Sequence, residues 1–186
     1  MMWQTHAIVG ANAAWIAVVF SDTQAVLLLL IAGAFGGLLP DIDASAAKVH
    51  FLGRGIFGIF RGVFQHRGFF HSLLAISILF IVSVVFLTEY HPLLPFALTI
   101  GYLSHPIIDS FNHRGVLLFF PLQWDIHLLP HALRTQVKGK GDYLYFILGF
   151  AGVMILLFQL YSHGVFDIPV SYNGLYNALD KTRFSA

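Results

Sequence analysis

The chain has 186 residues, 58% of them hydrophobic and only 10% charged, with a mean hydropathy of +0.77. That is too apolar for a soluble domain and predicts a single membrane-embedded domain with a handful of spans. A net charge of +1 leaves no footprint for nucleic acid, the lack of cysteine excludes disulfides and thiolate metal sites, and ten histidines stand out as an excess.

Apolar runs of helix length fall at about 6–20, 24–39, 69–88, 93–112 and 143–162. The predicted fold is therefore all-α: a polytopic membrane bundle of about five apolar helices plus interfacial helices, with a core over 1–162 and a peripheral tail over 163–186. The N-terminus has no basic stretch and no small-residue cleavage site, so its apolar segment is expected to be retained. The first two runs are short, and the last three reach the roughly 20 residues that a hydrocarbon core requires. Asp22 lies between the first two runs, and Pro40 ends the second, because proline cannot donate a helix hydrogen bond and disfavours helix in the residue before it. Over 44–64, phenylalanines interleave with Lys48, Arg54 and Arg61, which predicts short helices lying in the interface; four glycines there weaken that reading. Glu89-Tyr90-His91-Pro92 is a turn. Residues 115–133 read as a loop or short hairpin dipping into the interface, anchored by Trp124. Gly139 to Asp142 then leads into the last run.

Basic residues set the expected orientation. Lys48, Arg54, Arg61 and Arg67 lie between runs two and three, and Arg114, Arg134, Lys138 and Lys140 lie between runs four and five. The other connections hold none, so the positive-inside rule puts both basic loops and the N-terminus in the cytoplasm. His6, Asp41, Asp43, His66, His71, His105 and Asp109 then all fall at the cytoplasmic ends of helices.

The spacing of these residues suits a metal. His105 and Asp109 are four apart and share a helix face. Asp41 and Asp43, two apart after a proline, would point the same way in an extended segment. Gly68 would let His66 come from the loop and His71 from the first helical turn. A His/Asp set suits Zn²⁺, Mn²⁺ or Fe²⁺ better than Ca²⁺, and so many candidates point to two ions or to one ion with supporting partners. Bland readings stand beside these. A lone interfacial histidine is usually an anchor or cap, Asp41 and Asp43 could be solvated caps, and Arg67 could be a topogenic charge. Asp109 is harder to dismiss, since a lone charge within an apolar run costs about 2.5–3.5 kcal/mol. His113, His127 and His131 are secondary candidates; His50, His91 and His163 are assigned no role.

The ordered set Thr5-His6, Gly37-Leu38-Leu39-Pro40-Asp41-Ile42-Asp43, His66-Arg67-Gly68 with His71-Ser72, and Gly101-Tyr102-Leu103-Ser104-His105 with Asp109 resembles the YdjM-type family. These are bacterial and archaeal inner-membrane proteins described as metal-dependent hydrolases, sometimes as LexA-regulated. That family is distantly similar to zinc-dependent phospholipase C and the S1/P1 nucleases. The resemblance implies metal roles for His6, Asp41, His71, His105 and Asp109. The soluble enzymes complete their cluster with a later His-x-x-x-Glu pair, where this chain offers His127 and His131, and the family often has a carboxylate near the last span, where Asp142 stands.

These readings lead to a membrane-embedded hydrolase with one, two or more divalent ions, acting at the cytoplasmic face on a phosphoester in a lipid or lipid-linked substrate. Asp41 or Asp43 would take the proton of the attacking water, while Arg67 and His66 would hold substrate. The alternative is a non-catalytic metal-binding membrane protein: an ion sensor, a transporter or a stress-regulated scaffold. The outer halves of the spans are almost wholly apolar, which favours a surface site over a transport path.

Overall fold

The computed structural model describes residues 1–19, 25–43 and 68–162, except for the side chains of Ile42 and Asp43. The expectations for Asp22, His50, the segment 44–64, His66, Arg67 and the tail from His163 lie outside these residues. Two compact units, Met1–Met154 and Ile155–Ala186, divide the chain. The described residues form five α-helices joined by loops and 3₁₀ turns, with no strand among them: α1 (Trp3–Val19), α2 (Val26–Leu38), α3 (Leu73–Leu87), α4 (Leu94–Asp109) and α5 (Lys140–Ser162).

All five helices fall on the predicted apolar runs, but their lengths differ from expectation. α3 has 15 residues and α4 has 16, whereas α5 has 23. Among the described residues only α5 is long and apolar enough to cross a membrane. Ser72 shortens α3: its Oγ accepts the Ala75 N–H at 3.3 Å and starts the helix there, so residues 69–71 become a 3₁₀ turn. α4 stops at Asp109, and the backbone turns through Ser110 to Asn112. α5 begins earlier than its apolar run, so Asp142 lies within its first turn.

Small residues decide the packing. α2 packs on α1 along one side and on α4 along the other, and α1 also packs on α4. A Cβ added to Gly10 of α1 would lie 2.4 Å from the Gly33 carbonyl oxygen of α2, and one added to Gly101 of α4 would lie 2.1 Å from that same oxygen. Two further glycines of α2 are equally constrained: Gly37 faces the His6 carbonyl at 2.4 Å and Gly36 faces the Leu98 carbonyl at 2.2 Å. The three backbones thus touch, as small residues allow where helices associate without a hydrophobic driving force. α3 packs on α4 through Ala75, Ile76 and Tyr102.

α5 meets α1 through Asn12, whose Nδ2 donates to the Ile8 and Gly149 carbonyls at 2.9 Å each. The faces of α3 and α5 that point away from the bundle are apolar and exposed, including Ile81, Val85, Phe86, Ile147 and Leu148. Between α4 and α5 the loop pairs Val116 with Ile126 in a single antiparallel bridge, a rudimentary hairpin whose tip exposes Trp124.

Candidate metal centre

The close crossing of α1, α2 and α4 places three polar groups together. His6 lies one turn from Gly10, and His105 lies one turn from Gly101. The His105 ring reaches across to α2, where Nδ1 sits 2.7 Å from the Gly37 carbonyl oxygen. A carbonyl only accepts, so Nδ1 carries the proton and Nε2 carries the lone pair. The His6 ring stacks on His105, with centroids 3.6 Å apart and planes 11° apart.

Two short turns supply the remaining groups. Leu39–Asp43 continues α2 as a 3₁₀ turn and brings Asp41 to the cluster. This corrects the expectation of an extended segment. Residues two apart on a 3₁₀ turn do not share a face, so spacing no longer pairs Asp43 with Asp41. The turn Phe69–His71 presents His71 from just before the cap of α3 rather than from the helix itself. Tyr102 Oη of α4 donates to the Phe70 carbonyl at 2.5 Å and fixes that turn.

Asp109, the last residue of α4, lies at the centre. Its Oδ1 is 2.7 Å from the Met1 amino group and 3.3 Å from His6 Nε2. Its Oδ2 is 3.9 Å from His71 Nε2 and 3.8 Å from His105 Nε2. On the other side, His105 Nε2 is 3.7 Å from Asp41 Oδ1. His6, His71, His105 and Asp109 are buried, whereas the Asp41 side chain is 29% exposed. Among the described residues two ligand groups result, His6–His105–Asp109 and Asp41–His71–His105, and His105 belongs to both.

Donor chemistry and spacing both fit a divalent ion. Ligands bound tetrahedrally at roughly 2.0–2.2 Å stand about 3.4 Å from one another. The imidazole–carboxylate separations here, 3.3 to 3.9 Å, match that edge and exceed good hydrogen-bond lengths. Among the described residues, neither ring nitrogen of His6, nor Nε2 of His105, has a hydrogen-bond partner of good geometry, although all are buried. Buried polar atoms left in this way are costly, and an ion would satisfy them.

The secondary candidates lie elsewhere. His113 and His131 pack edge to face at 5.3 Å, and His127 Nδ1 is 3.3 Å from the Asn112 carbonyl. None of the three belongs to either ligand group. His91 Nδ1 accepts the Leu93 N–H at 3.2 Å in its turn.

Asp142, which the family resemblance sets near the last span and to which the sequence assigned no role, is fully buried and accepts hydrogen bonds from Met2 N, Thr5 Oγ1 and Lys138 N, each at 2.9 Å. Asp142 precedes the apolar run 143–162, so the desolvation cost that singles out Asp109 within its run gives no such signal for it. The role of the Gly37 carbonyl had no sequence signal, because any residue type has one.

A family model described as YdjM inner membrane protein matches residues 1–168. The chain belongs to this family. The eight residues of the four ordered motifs that carry a charge or an imidazole, from His6 to Asp109, lie within the match. The chain is 31% identical to YvsG of Bacillus subtilis (strain 168) over 135 residues, which are 73% of this chain and 82% of that protein. It is 37% identical over 113 residues to the inner membrane protein YdjM of Escherichia coli (strain K12) and to that of Shigella flexneri, covering 58% of this chain and 54% of each relative. No solved structure matches. Membership of the YdjM family places the chain in the inner membrane and in association with the bilayer.

Proposed function

We propose that the His/Asp cluster binds divalent metal, Zn²⁺ first and Mn²⁺ or Fe²⁺ as alternatives, and that the protein hydrolyses a phosphoester in a lipid or lipid-linked substrate. We read the chain as a polytopic bundle with its N-terminus and its site on the cytoplasmic side. The observation that carries the metal reading is His105. Its Nε2 is buried, makes no hydrogen bond and lies 3.7 and 3.8 Å from carboxylates on its two sides.

His6, His105 and Asp109 would hold one ion, and Asp41, His71 and His105 a second or the same one. When bound, such an ion supplies Lewis-acid polarisation of a phosphoryl oxygen and a more acidic water. Asp41 is the group of the cluster with solvent exposure, so it is suited to receive a proton from water at the edge of the site. Asp109 neutralises charge inside and orients the imidazoles on either side. Arg67 and His66 remain expected substrate-side groups, and Asp43 the alternative proton acceptor, on the strength of their motif. The test is purified protein assayed on phospholipids with added Zn²⁺ or Mn²⁺. Activity should vanish in His71→Ala and Asp109→Ala; turnover that survives both sinks the site assignment.

One observation favours a second reading, a non-catalytic metal site. Four of the five ligand candidates are completely buried, and closed sites are typical of structural metals. Stoichiometric metal without turnover on any phosphoester, together with loss of stability on chelation, would select this reading.

A further inference from the structure

We propose that Asp142 is a positioning residue of the metal centre: it locks the first turn of α1, and with it His6, against the start of α5. The proposal rests on the metal-binding reading above. Asp142 belongs to neither ligand group. It is fully buried, and its two oxygens collect three donors from two separate parts of the chain. Oδ1 accepts the Thr5 hydroxyl at 2.9 Å, and Oδ2 accepts the backbone N–H groups of Met2 and Lys138, also at 2.9 Å each. Two of these donors lie at the start of α1, and Thr5 immediately precedes His6. The carboxylate also sits in the first turn of α5, where unpaired N–H groups and the helix dipole favour negative charge.

His6 needs such a device more than His105 does. A metal-binding histidine usually donates its second ring N–H to a group that fixes the ring. His105 does so to the Gly37 carbonyl. The His6 Nε2 faces Asp109 Oδ1 at 3.3 Å, its Nδ1 makes no hydrogen bond among the described residues, and its ring stacks on His105. Its aim therefore depends on where the backbone of its turn is held. Asp142 holds that turn through Thr5 and Met2. Because Asp142 belongs to α5, the one long apolar helix among the described residues, the site geometry is tied to the seating of that helix's first turn.

The experiment uses Co²⁺ as a spectroscopic substitute in the full-length detergent-solubilised protein. Visible absorption reports ligand geometry, titration reports affinity, and the melting temperature of chelated protein reports folding. His6→Ala provides the spectrum of a centre lacking that ligand. Asp142→Asn and the gentler Thr5→Val should each weaken Co²⁺ binding about 10–100-fold, the usual cost of removing a group that orients a ligand. Each should shift the spectrum toward that of His6→Ala, and Thr5→Ser should restore both affinity and spectrum. Unchanged spectrum and affinity in Asp142→Asn and Thr5→Val, with a normal wild-type signal, would overturn the positioning role. A wild-type protein that gives no Co²⁺ signal would instead overturn the metal reading on which the role depends.

Discussion

His105 has one ring nitrogen committed to the Gly37 carbonyl and the other facing two carboxylates, which makes it the shared member of both ligand groups. Loss of its ring should therefore cost more metal than loss of either partner histidine. We expect His105→Ala to abolish tight metal binding, while His6→Ala and His71→Ala each leave one group intact and retain part of the bound metal. Elemental analysis after gel filtration checks the order; equal metal in all three variants would contradict the shared role. The His105–Asp109 relation was legible in the sequence, because four residues on a helix make one turn and bring the side chains to one face. The Asp41–Asp43 pairing was misread for the converse reason. It assumed extended backbone after Pro40, but the chain instead tightens into a 3₁₀ turn there. The role of Asp142 was not legible because two of its three donors, Thr5 Oγ1 and Met2 N, lie more than 130 residues away in sequence.

At the scale of elements, α2 is the wedge on which the site depends. Gly33 offers its carbonyl to both neighbours, and neither backbone can retreat without separating the helices. A methyl at Gly101 would lie 2.1 Å from that carbonyl. Gly101→Ala should thus cost about 1–3 kcal/mol, in the range of overpacked cores. It should also lower metal affinity, since His105 lies one turn further along α4. Ile81→Ala, on the exposed face of α3, should stay within about 0.5 kcal/mol. Paired melting and metal titration distinguish the two. Asn12→Leu removes the hydrogen bond from α1 to the Gly149 carbonyl and should cost about 0.6 kcal/mol, with an upper bound near 1.7. Existence and approximate extent of all five helices were legible from apolar run length. The glycine contacts were not, because glycine in a helix reads as a weakness until the partner backbone is seen.

For the whole molecule, the ends that converge are the start of α1, the end of α2, the approach to α3, the end of α4 and the start of α5. Alternating runs and basic loops were enough to assign these ends to one side; the distances among their side chains required the folded chain. By rise per residue, α1 to α4 span roughly 20–26 Å and α5 roughly 35 Å, against about 30 Å of hydrocarbon. If the chain is the polytopic bundle proposed above, the four shorter helices need local bilayer thinning or shielding by neighbours, with the His/Asp end close to the headgroups.

Which headgroups these are is testable, because the chain has no cysteine and a single introduced thiol is a clean probe. Gln123 is exposed in the loop between α4 and α5, on the side of the site, and Glu89 is exposed in the turn between α3 and α4. The first of these loops carries Arg114, Arg134 and Lys138, and the second carries no lysine or arginine. On the proposed topology, the positive-inside rule expects Gln123, with the site, on the cytoplasmic side. In right-side-out membrane vesicles a membrane-impermeant maleimide should label Glu89→Cys and spare Gln123→Cys until detergent is added. The reverse pattern would put the His/Asp cluster at the outer leaflet and redirect the search for its substrate there. Labelling of both without detergent would mean that α4 does not cross the bilayer.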